Sequence, residues 1–264
     1  VAALDMTRSA QIRLAAPLDA DALPAALAIR VAEQSEIGFD PVSGAVLARR
    51  RRRLGALVLS DRTEAADPGE IARLLAGAVA TQQLRPLPWT DAARQLQARV
   101  ALMRAVEPDG SWPDLSDAAL AADAATWLAP HLHGMTRLSD LARLDTYRLL
   151  HGLLDREHAA RLERELPTQI ALPGGRAAVD YTQPVPVASA RAQAFYGLRA
   201  TPPLAGGKVK LSLALLSPAG RPIAVTGDIA AFWRGGWSEA RRDMRGRYPK
   251  HAWPDDPAAP PPRT

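Results

Sequence analysis

The chain has 264 residues, 47% of them hydrophobic and 23% charged, with no cysteine and a formal net charge of +5. This is a globular composition, long enough for two or three compact units. It excludes disulfides and thiolate metal sites, and no apolar run approaches the roughly 20 residues of a membrane helix. No basic segment followed by an apolar run opens the chain, so no secretory signal is read and a reducing cytoplasm is expected. The first residues, Val1-Ala2-Ala3-Leu4, lie in an apolar stretch without an initiator methionine, which suggests a fragment of a longer protein.

Residues 1–61 read as β-rich. Val1 to Met6 and Ala10 to Ala15 are extended candidates, and Asp19 to Ile29 a short helix. The stretch from Ile37 to Leu47 reads as two strands around a Pro/Ser/Gly turn, the second running into five consecutive arginines, Arg49 to Arg53. Side chains alternate along a strand, so Arg49, Arg51 and Arg53 would take one face and Arg50 and Arg52 the other, leaving neither face fully buried. Leu54 to Leu59 is a third apolar strand closed by Asp61.

From Asp67 the period becomes helical. Asp67-Pro68-Gly69-Glu70 supplies an N-cap, a proline at the first helical position and a capping-box glutamate ahead of Ile71, Leu74, Leu75, Ala78 and Val79. Thr90 caps a second helix with an apolar stripe of Ala93, Leu96, Val100 and Met103, and Arg94, Arg99 and Arg104 are expected to face outward. Leu115 and Leu120 flank a Ser116 cap for a third. Helices are expected over Thr136 to Ala142, Leu144 to Leu154 and Arg156 to Glu165. After Pro167 strands return: Thr168 to Leu172 and Arg176 to Tyr181 form a hairpin around Pro173-Gly174-Gly175, and Lys208 to Leu216 and Pro222 to Val225 are further strands. Short helices are expected at Ser189 to Tyr196, after Thr226 or Asp228, and from a Ser238 cap to Gly246.

The positive charge is concentrated. Residues 1–48 carry a net −3, 49–53 carry +5, 54–232 balance to zero and 233–264 carry +3. Three of the six tryptophans and six of the 33 basic residues fall between Trp233 and Trp253, a mixture suited to nucleic-acid phosphates and bases or to another protein domain. Each cluster has two readings. Arg49 to Arg53 form either a charged edge strand that resists edge-to-edge pairing or a phosphate-contacting rim. In the terminal cluster Arg241, Arg242 and Arg245 lie together on a helix, while Asp243 and Arg247 at i, i+4 offset part of the charge. Trp233 belongs to a core stripe with Ile229 and Phe232, and Trp237 staples the last helix against Met244 or stacks on a base.

Catalytic signatures are missing from the sequence. Gly206-Gly207-Lys208 lacks the spacing and hydroxyl of a phosphate loop, His131 and His133 at i, i+2 do not share a helix face, and no serine sits in a Gly-x-Ser-x-Gly elbow.

Three stretches carry a resemblance. They are Arg13 to Leu18 with Ala48 to Leu59; Trp112 to Ser116 with Trp127-Leu128 and Met135 to Leu141; and Arg221 to Thr226 running to Arg245-Gly246-Arg247-Tyr248-Pro249-Lys250-His251 and Trp253-Pro254. In these the chain resembles the C-terminal region of the HrpB family of bacterial DEAH-box ATP-dependent helicases, over nearly its whole length. Members of that family carry two RecA-like lobes that bind and hydrolyse ATP, then winged-helix, helical-bundle and OB-like domains and a C-terminal extension. The phosphate loop, the Asp-Glu-Ala-His motif and the arginine finger are not in this chain, so no ATPase activity is expected of it alone.

The resemblance implies an α+β fold: residues 1–61 the later part of an OB-like β domain, 62–167 a helical subdomain, 168–256 a mixed β/α extension, and 257–264 an unfolded proline-rich tail. It implies no catalytic, cofactor or metal residue in the chain, ATP and Mg²⁺ belonging to the missing lobes. Single-stranded RNA or DNA and the RecA-like lobes would be its partners, without a membrane. Nucleic-acid contacts would come from Arg49, Arg50, Arg51, Arg52, Arg53, Arg241, Arg242, Arg245, Arg247, Tyr248, Lys250 and His251. The alternative is a protein-interaction module that docks on the helicase body or an external partner without touching nucleic acid.

Overall fold

A computed structural model describes residues 2–5, 11–15 and 24–259. The fold is α+β, as expected. Two compact units divide the chain: Val1–Gln82 with Ala124–Ala142, and Gln83–Asp123 with Arg143–Thr264. The helical stretch expected as one subdomain over 62–167 is shared between them.

In the first unit β1 (Ala2–Asp5) pairs antiparallel with β2 (Gln11–Ala15). The helix expected over 19–29 is described only as α1 (Ala25–Ala28); its earlier residues to 23 lie outside the described ones. β3 (Val31–Asp40) and β4 (Ala45–Leu54) then form a hairpin in register from Val31 opposite Leu54 to Asp40 opposite Ala45. Its turn is closed by Asp40, whose carboxylate accepts from the Val42 and Ser43 amides at 3.2 Å, and by Gly44 at φ +64°, a conformation that glycine adopts without strain.

β5 (Leu57–Thr63) completes a sheet of order β3-β4-β5. Asp61, expected to end this strand, lies inside it, because its carboxylate meets arginines of β4 and the ladder continues to Thr63 opposite Arg49. α2 (Pro68–Thr81) starts as the sequence predicts, with Asp67 accepting from the Glu70 amide at 2.8 Å. Its Leu75, Ala76 and Val79 are buried. The returning segment 124–142 ties down the start of β4, where the Val46 amide donates to the Thr136 carbonyl and the Leu138 amide to the Gly44 carbonyl, both at 2.8 Å.

The second unit begins with α3 (Asp91–Val106), whose Thr90 hydroxyl caps the Ala93 amide and whose Ala93, Leu96, Val100 and Met103 are buried as expected. Arg99 is a correction. It does not face outward but is 1% exposed, because it shares the face of Leu96 and Met103 and reaches carbonyls at the end of another helix. α4 (Asp117–Ala122) carries the Ser116 cap, the first unit's returning segment opens with α5 (Ala124–Trp127), and α6 (Thr146–His151) and α7 (Arg156–Glu165) start at Asp145 and Asp155 caps.

β6 (Gln169–Leu172), β7 (Gly175–Asp180), β8 (Val187–Arg191), β9 (Ser212–Leu216) and β10 (Pro222–Thr226) form a sheet of order β10-β9-β8-β7-β6. All its pairings are antiparallel except β8 with β9. The helix expected over 189–196 is replaced by β8 and one 3-10 turn at Ala192–Phe195. Strands flank β8 on both sides and satisfy its backbone, which outweighs local helical preference. α8 (Ile229–Arg234) has an Asp228 cap. α9 (Trp237–Arg247) follows Gly236 without a side-chain cap, and Ser238, expected as its cap, lies within the first turn. Starting two residues earlier places Trp237 inside the helix, where it is buried at 1% exposure.

Candidate nucleic-acid interface

The arginine run occupies the central strand of the first unit's sheet. Placing five guanidiniums side by side is costly unless partners offset them, and the neighbouring strands supply those partners. On one face the Arg51 Nη1 donates to Glu36 Oε2 at 3.0 Å and its Nε to Asp61 Oδ2 at 3.1 Å; the Arg49 Nη1 reaches the same Asp61 oxygen at 3.4 Å. Two arginines and two carboxylates close into one network. Arg53 sits half-buried past a bulge, where the β4–β5 register slips between Arg52 and Arg53.

The opposite face is composed differently. Arg50 pairs with Glu33 at 3.0 Å, yet its side chain stays 55% exposed, against 42% for Arg49 and 25% for Arg51. Directly across from Arg50 on β5 stands Arg62, and across from half-buried Arg52 stands Ser60. These residues, together with Glu33, Thr63 and Glu64, line an open depression of about 510 Å³. Exposed ion pairs such as Arg50–Glu33 are worth about 0–1 kcal/mol and are readily exchanged for another anion.

Sequence reasoning did not find Glu33, Glu36, Asp61 or Arg62. A signal existed: counting outward from the Asp40–Gly44 turn places Glu36 opposite Arg49 and Glu33 opposite Arg52. The sheet from Val31 through Glu64 contains six arginines but five acidic residues, so the +5 of the run is largely offset once the chain folds.

The terminal cluster lies in the second unit and is mostly occupied with its own packing. The Trp237 indole donates to the Pro254 carbonyl at 2.9 Å, the Trp253 indole to the Tyr248 carbonyl at 2.9 Å, and the Trp233 indole to the Leu198 carbonyl at 2.8 Å. Ring centroids of Trp237 lie 5.3 Å from Trp233, 5.6 Å from Tyr196 and 6.2 Å from Trp253. The Tyr196 hydroxyl donates to the Ala252 carbonyl at 3.1 Å, and burial pushes this phenol above its ordinary pKa. Arg241 turns inward, its Nε donating to the Trp253 carbonyl at 3.0 Å and its guanidinium pairing with Asp255. Arg247 pairs with Asp243 at 2.9 Å, as the spacing predicts.

Arg242, Arg245, Lys250 and His251 remain exposed, and half-buried Tyr248 packs its ring at 6.3 Å from His251. Pro257, expected in the unfolded tail, is buried and accepts from the Gly197 amide at 2.8 Å; residues 260–264 of that tail lie outside the described ones. Among the described residues no group of three His, Cys, Asp or Glu could hold a metal ion, and no helix is long and apolar enough to cross a membrane.

Two family models match this chain: the connector region of the ATP-dependent RNA helicase HrpB over residues 30–63, and an ATP-dependent helicase C-terminal model over residues 127–257. The chain is 38% identical over 252 residues to the ATP-dependent RNA helicase HrpB of Escherichia coli strain K12, covering 94% of this chain and 31% of that protein. It is similar to the crystal structure of the E. coli DExH-box NTPase HrpB, with a TM-score of 0.72 at 37% identity over 97% of this chain and 32% of the other. A second crystal structure, of the E. coli DEAH/RHA helicase HrpB, matches with a TM-score of 0.64 at 34% identity over 85% of this chain and 29% of the other. The chain thus spans about a third of the length of the relatives it matches.

Proposed function

We propose a role that starts from one fact: this chain belongs to the HrpB helicase family and corresponds to the C-terminal region of such a protein. In that role it contributes a nucleic-acid-binding surface and braces the motor lobes of an ATP-dependent helicase in the cytoplasm. ATP and Mg²⁺ are handled by RecA-like lobes outside this chain, and the sheet β3-β4-β5, which the connector-region model matches over residues 30–63, lies against single-stranded RNA or DNA.

The observation that carries this reading is the placement of Arg49 to Arg53. They stand on the central strand of a sheet whose arginine-bearing end is buried on neither face. Guanidinium groups in such a setting release counterions from phosphates on binding, so affinity falls with salt in proportion to the contacts made. The test is oligonucleotide affinity against salt concentration for the chain and for a variant with Arg49 to Arg53 all changed to alanine. A shallower slope in the variant is expected, and an unchanged slope overturns the reading.

For the terminal segment alone a second reading has its own support. Burial of Trp253 against Trp237, with Arg241 engaged by Trp253 and Asp255, favours a packing role for residues 248–257 over contact with nucleic acid.

A further inference from the structure

We propose that the two faces of the arginine strand are not equivalent, and that nucleic-acid phosphate is held on one of them by a clamp of Arg50 and Arg62, with Arg52 and Ser60 beside it. The inference rests on the nucleic-acid reading above and adds to it a face and a residue, Arg62, that lies outside the arginine run.

The two faces differ electrostatically. On the face opposite the clamp the Arg49 and Arg51 guanidiniums are already held by carboxylates of the neighbouring strands, at 3.0 Å and 3.1 Å for Arg51 and 3.4 Å for Arg49, and Asp61 bridges the two. A phosphate arriving there would have to displace partners fixed by the sheet register itself.

On the other face the register places like charges directly opposite, Arg50 against Arg62. Directly opposed residues in an antiparallel pair have Cβ atoms about 5 Å apart, and like charges in that position destabilise the sheet. Glu33 pairs with Arg50 from the β3 side, through a bond between two half-exposed groups. Both Arg50 and Arg62 are exposed, and they border an open depression of about 510 Å³ that also receives the Ser60 side chain. A phosphodiester between them would turn a cross-strand repulsion into two charge-assisted hydrogen bonds, and a hydroxyl stands beside it as a further donor.

The bulge sharpens the asymmetry. It falls after Arg52, so the alternation that aligns Arg50 and Arg52 on one face is intact, whereas the β5 pairing of Arg53 is displaced to Val58. The guanidiniums of the clamp face thus project from a regular stretch of ladder.

The test uses the full 264-residue chain and a fluorescent single-stranded oligonucleotide, in RNA and DNA forms of the same sequence, titrated across a salt series. Four variants are compared: Arg62→Ala, Arg62→Lys, Arg50→Ala, and the opposite-face double variant Arg49→Ala with Asp61→Ala, which removes one charge of each sign. Thermal unfolding of each confirms that the sheet is retained. The expected result is that Arg62→Ala and Arg50→Ala each flatten the plot of log affinity against log salt by about 0.7, the value for one phosphate on a single strand. Affinity should fall several-fold in both nucleic acids, Arg62→Lys should keep the wild-type slope, and the double variant should lose less slope than Arg50→Ala. A loss of slope in the double variant as large as that in Arg50→Ala, or wild-type slopes for Arg62→Ala and Arg50→Ala, overturns the clamp. If those two variants keep the slope while replacement of all five arginines removes it, the clamp fails and the nucleic-acid role stands. If the five-alanine variant also keeps it, the nucleic-acid role itself fails.

Discussion

Arg99 on α3 donates from its Nε to the carbonyl of Leu166, the residue that follows α7, at 2.7 Å, and from its Nη2 to the Leu162 carbonyl at 3.2 Å. The last carbonyls of a helix lack their full set of partners within it; here a buried guanidinium on a second helix satisfies the Leu166 carbonyl and adds a second donor to the Leu162 carbonyl, while Glu163 balances its charge at 2.8 Å. Arg99 therefore joins two helices of the second unit as a C-terminal cap supplied from outside.

Replacing Arg99 by methionine keeps much of the apolar stem and strips the donors. The Leu162 carbonyl retains the Leu166 amide as a donor, while the Leu166 carbonyl loses its guanidinium partner. One buried acceptor left without its donor costs about 1–3 kcal/mol. A lower unfolding temperature for Arg99→Met is expected in a thermal melt, with Arg99→Lys falling between it and wild type, because an ammonium cannot reproduce the two-nitrogen geometry.

His158 supplies a pH dependence. Its Nδ1 lies 2.7 Å from the Asp155 carboxylate and its Nε2 3.0 Å from the Gly110 carbonyl, so both ring nitrogens face acceptors and the protonated ring is favoured. The Gly110 carbonyl first, and then Asp155, raises its pKa above the ordinary 6.5. A folded-state pKa above the unfolded value contributes stability that is fully present below about pH 6.5 and is lost as pH rises through the folded value. Unfolding temperature should therefore decline more steeply above pH 6.5 in the wild type than in His158→Gln. Equal pH dependence in the two proteins would show that the ring does not titrate in this setting.

Trp253 fastens residues 248–257 to the second unit, with its ring 6.2 Å from Trp237 and its indole bonded to the Tyr248 carbonyl. Truncating a buried tryptophan to alanine costs about 3–5 kcal/mol. For Trp253→Ala the segment is expected to become sensitive to limited proteolysis near its Lys250 while the rest of the unit survives. Oligonucleotide affinity should change little if this segment packs rather than binds.

Gly174 tests the β6–β7 hairpin. A Cβ built there would approach the Gln193 carbonyl oxygen to 2.8 Å and the Ala194 Cα to 2.9 Å, both backbone atoms that cannot swing aside. Gly174→Ala should lose about 1–3 kcal/mol in a chemical denaturation curve. Gly175→Ala, with open space but a φ of +144°, should also be destabilised, by backbone strain in place of a clash.

Much of the fold was legible because local signals and tertiary demands agree. Asp67-Pro68 and Thr90 begin helices where capping chemistry places them, and the Pro173-Gly174-Gly175 turn makes its hairpin. The misreadings share a physical cause, since each depends on a partner distant in sequence. Arg99 is drawn inward by carbonyls of Leu162 and Leu166. Ser189 to Arg191 become strand because β7 and β9 lie on either side. Asp61 continues a strand because Arg49 and Arg51 meet it there. At the candidate site the arginine run was visible from sequence and the Asp40–Gly44 turn fixes where Glu33 and Glu36 fall against it, but the partnership with Asp61 was not legible, because a bulge shifts the β4–β5 register.

The most direct measurement is photo-crosslinking of the chain to a single-stranded oligonucleotide bearing 4-thiouridine, with the attached peptides mapped by mass spectrometry. The account predicts crosslinks within the sheet from Val31 to Thr63, concentrated on the strands that carry Arg50 and Arg62. Crosslinks confined to α9 and residues 248–257, with none on the sheet, would contradict it.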